Sequence, residues 1–375
     1  MKPLRRTPAL PHQHRHIRSL GIERENEPYF FGYDEGPAGE GQVRLDLLYT
    51  GLSAGTELTF LKGTNPYLHS RWDDWQGLFI PGEPSARFPV NFLGYMESAR
   101  VVDARAPGFG HGDVVGTTFG HKTGHTADPA HDLLLKLPRA MDPILGIFVA
   151  QMGPIAANGI LHADAEQFGA NVPFLGAGIE GRPVLVWGGG TVGLFCAMFA
   201  RMGGASDIVV VDPSPFRQEI ARRMGFEAMG EDDAVRHAKT LWHHKIGGRG
   251  AEYVFQTRAR PDSLNRCLQA LRPQGTVIDL AFYQGGMDGL RLGEEFHHNG
   301  LSIRCAQINR MPRAVAGAWD QRRLAQETVR LLERDGEAIR AHMITHVVPY
   351  DDAPNFLRHL VHERPEFLQI VFDAT

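Results

Sequence analysis

The residues with the most specific chemical spacing in this chain are GGGTVG, 188 to 193. Gly188, Gly190 and Gly193 fit G-x-G-x-x-G, after the apolar run VLVW and before an apolar segment at helical spacing, TVGLFCAMFARMGG. The first glycine permits a tight turn, the second lets backbone approach a pyrophosphate, and the third lets helix and strand pack closely. Thr191 and Val192 open a helix whose free N–H groups face the phosphates. Asp212 ends the next apolar strand, SDIVVVD, 19 residues beyond Gly193. A carboxylate there accepts hydrogen bonds from the adenosine ribose and repels a 2′-phosphate, which favours NAD over NADP. Arg217 argues the other way, since it could reach a 2′-phosphate; it also reads as a solvated helix residue. The loop alone could be a ligand-free turn, but strand, glycines, helix and acid agree on a dinucleotide.

A metal is the other chemistry to test. HKTGHTADPAH holds His121, His125 and His131. If 121 to 125 is extended, its ends lie roughly 13 Å apart, whereas zinc ligands approach within about 2.1 Å of one ion. Shared ligation needs a sharp bend at Gly124, and loop histidines are the simpler reading. HQHRH, 12 to 16, reads as a solvated tail. Cys196, Cys267 and Cys305 are far apart and form neither a disulfide framework nor a Cys-x-x-Cys knuckle.

The elements that must position these residues change in kind along the chain. Residues 40 to 150 are rich in Gly and Pro, with short β-type runs in QVRLDLLYTGLS, ESARVVDAR and GDVVGTTF. Between the first two lies a long loop-like stretch, 63 to 92, whose Trp72 and Trp75 argue against disorder. From 184, buried strands alternate with helices: PVLVW, SDIVVVD, AEYVFQT and GTVIDLAFY are separated by TVGLFCAMFARMGG, PFRQEIARRMG and DSLNRCLQALRP. That alternation predicts an α/β, doubly wound parallel sheet covered on both faces. QRRLAQETVRLLERDGEAIRAHM reads as a helix, and the segment after it as strand, helix, strand. The first 20 residues read as a tail that would become ordered only by packing on something else.

The 375 residues exceed what one core usually serves. With 43% hydrophobic residues, 22% charged residues and a net charge of −4, the chain is an ordinary globular protein with no general affinity for nucleic acid. No apolar run is long enough for a membrane span, and the basic N-terminus lacks the apolar core of a secretory signal. The cysteine usage suits a reducing, cytoplasmic setting.

With its glycine loop at 188, the chain resembles the medium-chain dehydrogenase/reductase superfamily. The resemblance is spread over roughly 40 to 375: GQVRLDLLYTGLSAGTELTFLKG, GDVVGTTFGH, GGRGAEYVFQT, LRPQGTVIDLAFYQGG and, most specifically, PVLVWGGGTVGLFCAMFARMGGASDIVVVD. It implies a GroES-like β-rich catalytic domain built from both ends of the chain, 1–155 and 313–375, around a Rossmann domain at 156–312. The cofactor is expected in the cleft between them. It also implies a homo-oligomer, dimer or tetramer.

The departures set the expected chemistry. Zinc-dependent members hold their metal with a Cys, the His of a Gly-His-Glu motif, and a later Cys or acid. The matching positions here are Ser53, Tyr95 in GYMES, and Met152, and no four-Cys lobe is present. Ser, Tyr and Met do not build a zinc site, so the resemblance implies a zinc-independent member with no metal. The GxSxGTE segment resembles a branch containing bacteriochlorophyllide and sugar-type dehydrogenases.

Without zinc, a side chain must handle the proton. Tyr95 and His121 are the leading acid/base candidates, with Ser53 and Thr56 as a possible relay. Glu97 is a general base if desolvated enough, or else an outward-facing strand residue. Glu57 fixes its loop or meets substrate. Asn158 reads as a substrate or nicotinamide contact, Thr257, Arg258, Ala281 and Phe282 as cofactor contacts, and Trp72 and Trp75 as a lid, a sugar platform or an oligomer contact.

The expected activity is NAD-dependent hydride transfer to or from a hydroxyl or carbonyl carbon of a polar, sugar- or polyol-like small molecule. The rivals are an NADPH-dependent quinone or enoyl reductase and a non-catalytic dinucleotide-binding protein.

Overall fold

The computed structural model describes residues 14–244, 248–363 and 365–375. They form two compact units. The first holds the described residues up to Ile147, with Val347–Pro365 and Val371–Thr375; the second holds Phe148–His346 and Glu366–Ile370. Mixed α/β structure with one parallel sheet matches the expected class.

In the first unit an antiparallel sheet runs through Val43–Gly51, Glu97–Ala104, Val114–Thr117 and Leu134–Lys136. Val371 and Phe372 pair with Gly51 and Thr50, and Gly124–Ala127 pairs with Val43–Asp46. The inward side chains, Val43, Leu45, Ala99, Val101, Val115 and Leu134, make one apolar core. The described part of the expected N-terminal tail is instead a strand. Arg15–Arg24 pairs with Glu27–Glu35, and its apolar residues Leu20 and Ile22 are fully buried. Their backbone N–H groups donate to His121 O and Val90 O, both at 2.9 Å, so the hairpin is stitched to the unit. Residues 1–13, with part of HQHRH, lie outside the described residues. The stretch 63–92 carries a hairpin, Ser70–Asp73 with Leu78–Pro81, with Trp72 opposite Phe79.

The second unit is a six-stranded, all-parallel sheet in the order Glu227–Met229, Asp207–Val211, Pro183–Trp187, Ala251–Gln256, Leu271–Asp279, Ser302–Cys305. Pro183–Trp187 comes first in the chain; later strands are added on one side, then on the other. Strand order therefore reverses at its C-terminal end, where open α/β sheets bind ligands. The glycine loop sits at that end. Helices Thr191–Met202, Pro215–Arg223, Glu231–Leu241 and Pro261–Ala270 cross between the strands.

The units divide at other points than the expected 156 and 313. Helix Gln321–Ala338 clusters with the parallel sheet because it rides on helix Met152–Phe168: a Cβ on Gly153 would lie 2.1 Å from Thr328 Cγ2. Among the described residues, no helix is long and apolar enough to cross a membrane.

Candidate functional site

The glycine loop is built as its spacing demands. Gly188 has φ +109°, a left-handed conformation that glycine tolerates. A Cβ on Gly193 would lie 1.8 Å from Gly188 O, so only glycine lets the helix start this close to the strand. At Gly190 a Cβ would meet nothing nearer than Arg217 Nη1 at 3.9 Å, leaving that face open to a ligand. Thr191 and Val192 begin the helix, and Thr191 Oγ1 donates to Leu368 O and Gln369 Oε1 at 3.4 and 3.3 Å. Thr257 Oγ1 donates to Trp187 O and Gly188 O at 3.0 and 3.2 Å and braces the turn from the neighbouring strand.

Asp212 is buried at the end of the second strand. Its Oδ2 accepts the Gly189 N–H at 2.8 Å and its Oδ1 the Ser214 N–H at 2.9 Å. Arg217 is not simply solvated: its Nη1 stands 3.6 Å from Asp212 Oδ2. Nor is Arg258 a free surface cation. It donates to Glu231 Oε1 at 2.7 Å, the oxygen that Trp187 Nε1 and Ser263 Oγ also reach. Ala281 N–H donates to Asp279 Oδ1 at 2.9 Å, and Phe282 is exposed. A cavity of ≈ 710 Å³ includes Pro213, Gly230 and Glu231 in its wall.

The first unit has its own cavity, ≈ 280 Å³, walled by Thr56, Glu57, Tyr95 and Lys122 on its polar side and by Phe60, Phe92 and Phe119 on its apolar side. Tyr95 and Ser53 share a short hydroxyl–hydroxyl hydrogen bond, and the phenol also donates to Thr56 Oγ1 at 3.3 Å. Burial holds the Tyr95 phenol above its usual range, so it is a proton donor at neutral pH. Glu57 Oε1 accepts the Ser53 N–H at 2.8 Å, the loop-fixing contact, while Oε2 meets His121 Nε2 at 2.6 Å. His121 Nδ1 lies 2.7 Å from Thr50 Oγ1, which itself donates to Met96 O at 3.0 Å. The donor and acceptor roles of the two ring nitrogens depend on the imidazole tautomer.

Other candidates fall away from this cavity. Glu97 does not line it and does not face outward: it is fully buried, neither oxygen has a partner, and burial pushes its carboxyl up to about 8. Trp72 and Trp75 are not in the wall, and Trp75 is 94% exposed. Met152 and Asn158 belong to the second unit. Asn158 is buried and donates to Gln307 O at 3.0 Å, tying its helix to that loop. His125 packs tilted against Phe119, and burial lowers it to about 4, while His131 is exposed.

A family model described as zinc-binding dehydrogenase matches residues 191–320. D-guloside 3-dehydrogenase of Escherichia coli is 30% identical over 187 residues, 49% of this chain and 52% of that protein. L-threonine 3-dehydrogenase of Pyrococcus horikoshii is 32% identical over 110 residues, 28% of this chain and 30% of that one. At best, the match spans about half the length of these curated relatives. The solved structure of L-idonate 5-dehydrogenase from Escherichia coli has the same fold, with a TM-score of 0.71 at 13% identity over 96% of this chain and 99% of that one. Residues 191–320 thus match the zinc-binding dehydrogenase family, and the chain as a whole shares the fold of these dehydrogenases.

The likeness to zinc-binding dehydrogenases raises the question of whether the residues present would suit zinc. Ser53 and Tyr95 offer two neutral oxygens bonded to each other. Both ring nitrogens of His121 are committed, and no group of three or more His, Cys, Asp or Glu among the described residues could hold a metal ion. This set does not fit zinc's preference for thiolate, imidazole and carboxylate. NAD(P) is different: the glycine cradle and Asp212 fit a dinucleotide. Sequence reasoning missed Lys122, the cation of the cavity wall, and Thr50, whose hydroxyl lies 2.7 Å from His121 Nδ1. Neither sits in a motif, and only the sheet register brings them to the site.

Proposed function

We propose that this protein is an NAD-dependent, zinc-free oxidoreductase acting on a hydroxyl or carbonyl carbon of a polar, sugar- or polyol-like molecule. The observation that carries the reading is the cavity wall in which Tyr95 and Thr56, with the buried Ser53 bonded behind them, form a hydroxyl cluster where zinc-type members place metal ligands. The relatives' names, a guloside and an idonate dehydrogenase among them, support the substrate class.

When bound, the nicotinamide accepts or supplies the hydride. Gly188, Gly190, Thr191, Val192 and Gly193 would hold the pyrophosphate and Asp212 the adenosine ribose. Tyr95 donates its proton, or a hydrogen bond, to the substrate oxygen as charge develops there. Ser53 and Thr56 orient the phenol, and Lys122 adds a positive charge to the same wall. The His121–Glu57 hydrogen bond lies beside them. No chain of hydroxyl hydrogens links it to Tyr95, because the two sets join only through the Ser53 backbone N–H.

The test is Tyr95→Phe, assayed on a panel of polyols, aldoses and glycosides. Turnover should fall by about 10²–10⁴, with the Kd for NADH within about twofold of wild type. Full activity in the variant would remove Tyr95 from the chemistry. Phe60, Phe92 and Phe119 favour a second reading, reduction of a flat apolar quinone or enone. Turnover of such an acceptor with NADPH, and none with the polar panel, would establish it.

A further inference from the structure

Among the described residues, three charges meet at the ribose corner of the cradle. Asp212 stands 3.6 Å from Arg217. A carboxylate beside a guanidinium is nearly neutral as a pair, so Asp212 alone discriminates weakly against a 2′-phosphate: one partner repels it and the other attracts it. The third charge comes from far along the chain. Glu366 Oε1 accepts a hydrogen bond from Ser214 Oγ at 3.4 Å, and Ser214 caps helix Pro215–Arg223 two residues after Asp212. The segment bearing Glu366 is anchored on the glycine loop itself, through Thr191 to Leu368 and Gln369. Thr345 holds it from the other side, accepting the Leu368 N–H at 3.0 Å and donating to Gln369 O at 3.2 Å. Glu366 is exposed, and its hydrogen-bond partner, Ser214, ties it to the helix that follows Asp212.

We infer that Glu366 is a specificity-determining residue for the cofactor: its carboxylate makes the Asp212–Arg217–Glu366 corner net negative and rejects the 2′-phosphate of NADP(H). The inference rests on the reading of this cradle as an NAD site. Like charges a few ångströms apart near a protein surface repel measurably, and salt screens the effect.

The experiment titrates NADH and NADPH separately into the whole protein, as wild type and as Glu366→Gln, Glu366→Asp and Glu366→Lys. Gln keeps an acceptor for Ser214 and removes only the charge. Its Kd for NADPH should fall about three- to tenfold, and that of Lys further, with NADH within about twofold in both. Asp should behave as wild type. The gain should shrink at 0.5 M salt, on the order of one Debye length below 5 Å. An NADPH Kd unchanged in both Gln and Lys overturns the inference. If wild type prefers NADPH, the NAD reading fails, yet the change in NADPH Kd still decides the role of Glu366.

Discussion

Glu97 shows most sharply what one residue can cost this protein. Its two oxygens are buried with no hydrogen-bond partner among the described residues, and so is the hydroxyl of its cross-strand neighbour Thr117. A carboxyl raised to about 8 is neutral at pH 7, the reverse of a resting general base. Its sign for stability is definite. The unfolded chain loses this proton near the ordinary carboxylate value while the folded chain keeps it to about 8, so stability is full at acid pH and is lost as pH rises toward 8. The slope is at most about 1.4 kcal/mol per pH unit. Denaturant melts of wild type from pH 5 to 8 should show a decline that Glu97→Gln flattens; parallel curves would show that Glu97 ionises freely. Residues such as Asp212 were legible in the sequence, because distance from the glycines implies a role. Glu97 was not. A strand residue's burial depends on what covers its face, and Arg15 and Tyr33, both on the N-terminal hairpin, lie within electrostatic reach of it.

Among elements, the strand–loop–helix unit at Pro183–Met202 separates two uses of glycine. Gly193→Ala forces a Cβ against Gly188 O, so the helix must back away. That variant should lose several degrees of Tm and bind NADH more than about tenfold more weakly. Gly190→Ala has room for its methyl. It should melt as wild type does and lose only NADH affinity, because the methyl occupies the face left open for the pyrophosphate. Calorimetry and titration on both variants check the contrast; equal effects would mean that Gly190 too is structural. The parallel strands were legible because they are continuously apolar and bounded by turn residues. The hairpin Arg15–Glu35 was not: RHIRSLGIER interleaves charge with apolar residues, and only the surface beneath it makes the alternation meaningful. Helix Gln321–Ala338 was legible as a helix but not in its allegiance, since an amphipathic stripe does not name its partner.

For the whole molecule, the zinc-free reading makes a prediction that no single residue does. Metal analysis of the purified protein should find zinc well below one per chain, and prolonged chelation should leave activity unchanged. Stoichiometric zinc, lost together with activity, would overturn the reading. The fold was legible from motif order alone, but the division of the chain was not, because the C-terminal segment changes unit within a few residues, Glu366–Ile370 joining one and Val371–Thr375 the other. That crossing has a consequence in time. Glu366 is synthesised 178 residues after Gly188. At about 5–20 residues per second, the ribosome leaves the glycine loop without its Leu368 and Gln369 anchor for on the order of ten to forty seconds. The cradle can be shaped early in the life of the nascent chain, but the charge that Glu366 brings to it arrives only after that delay.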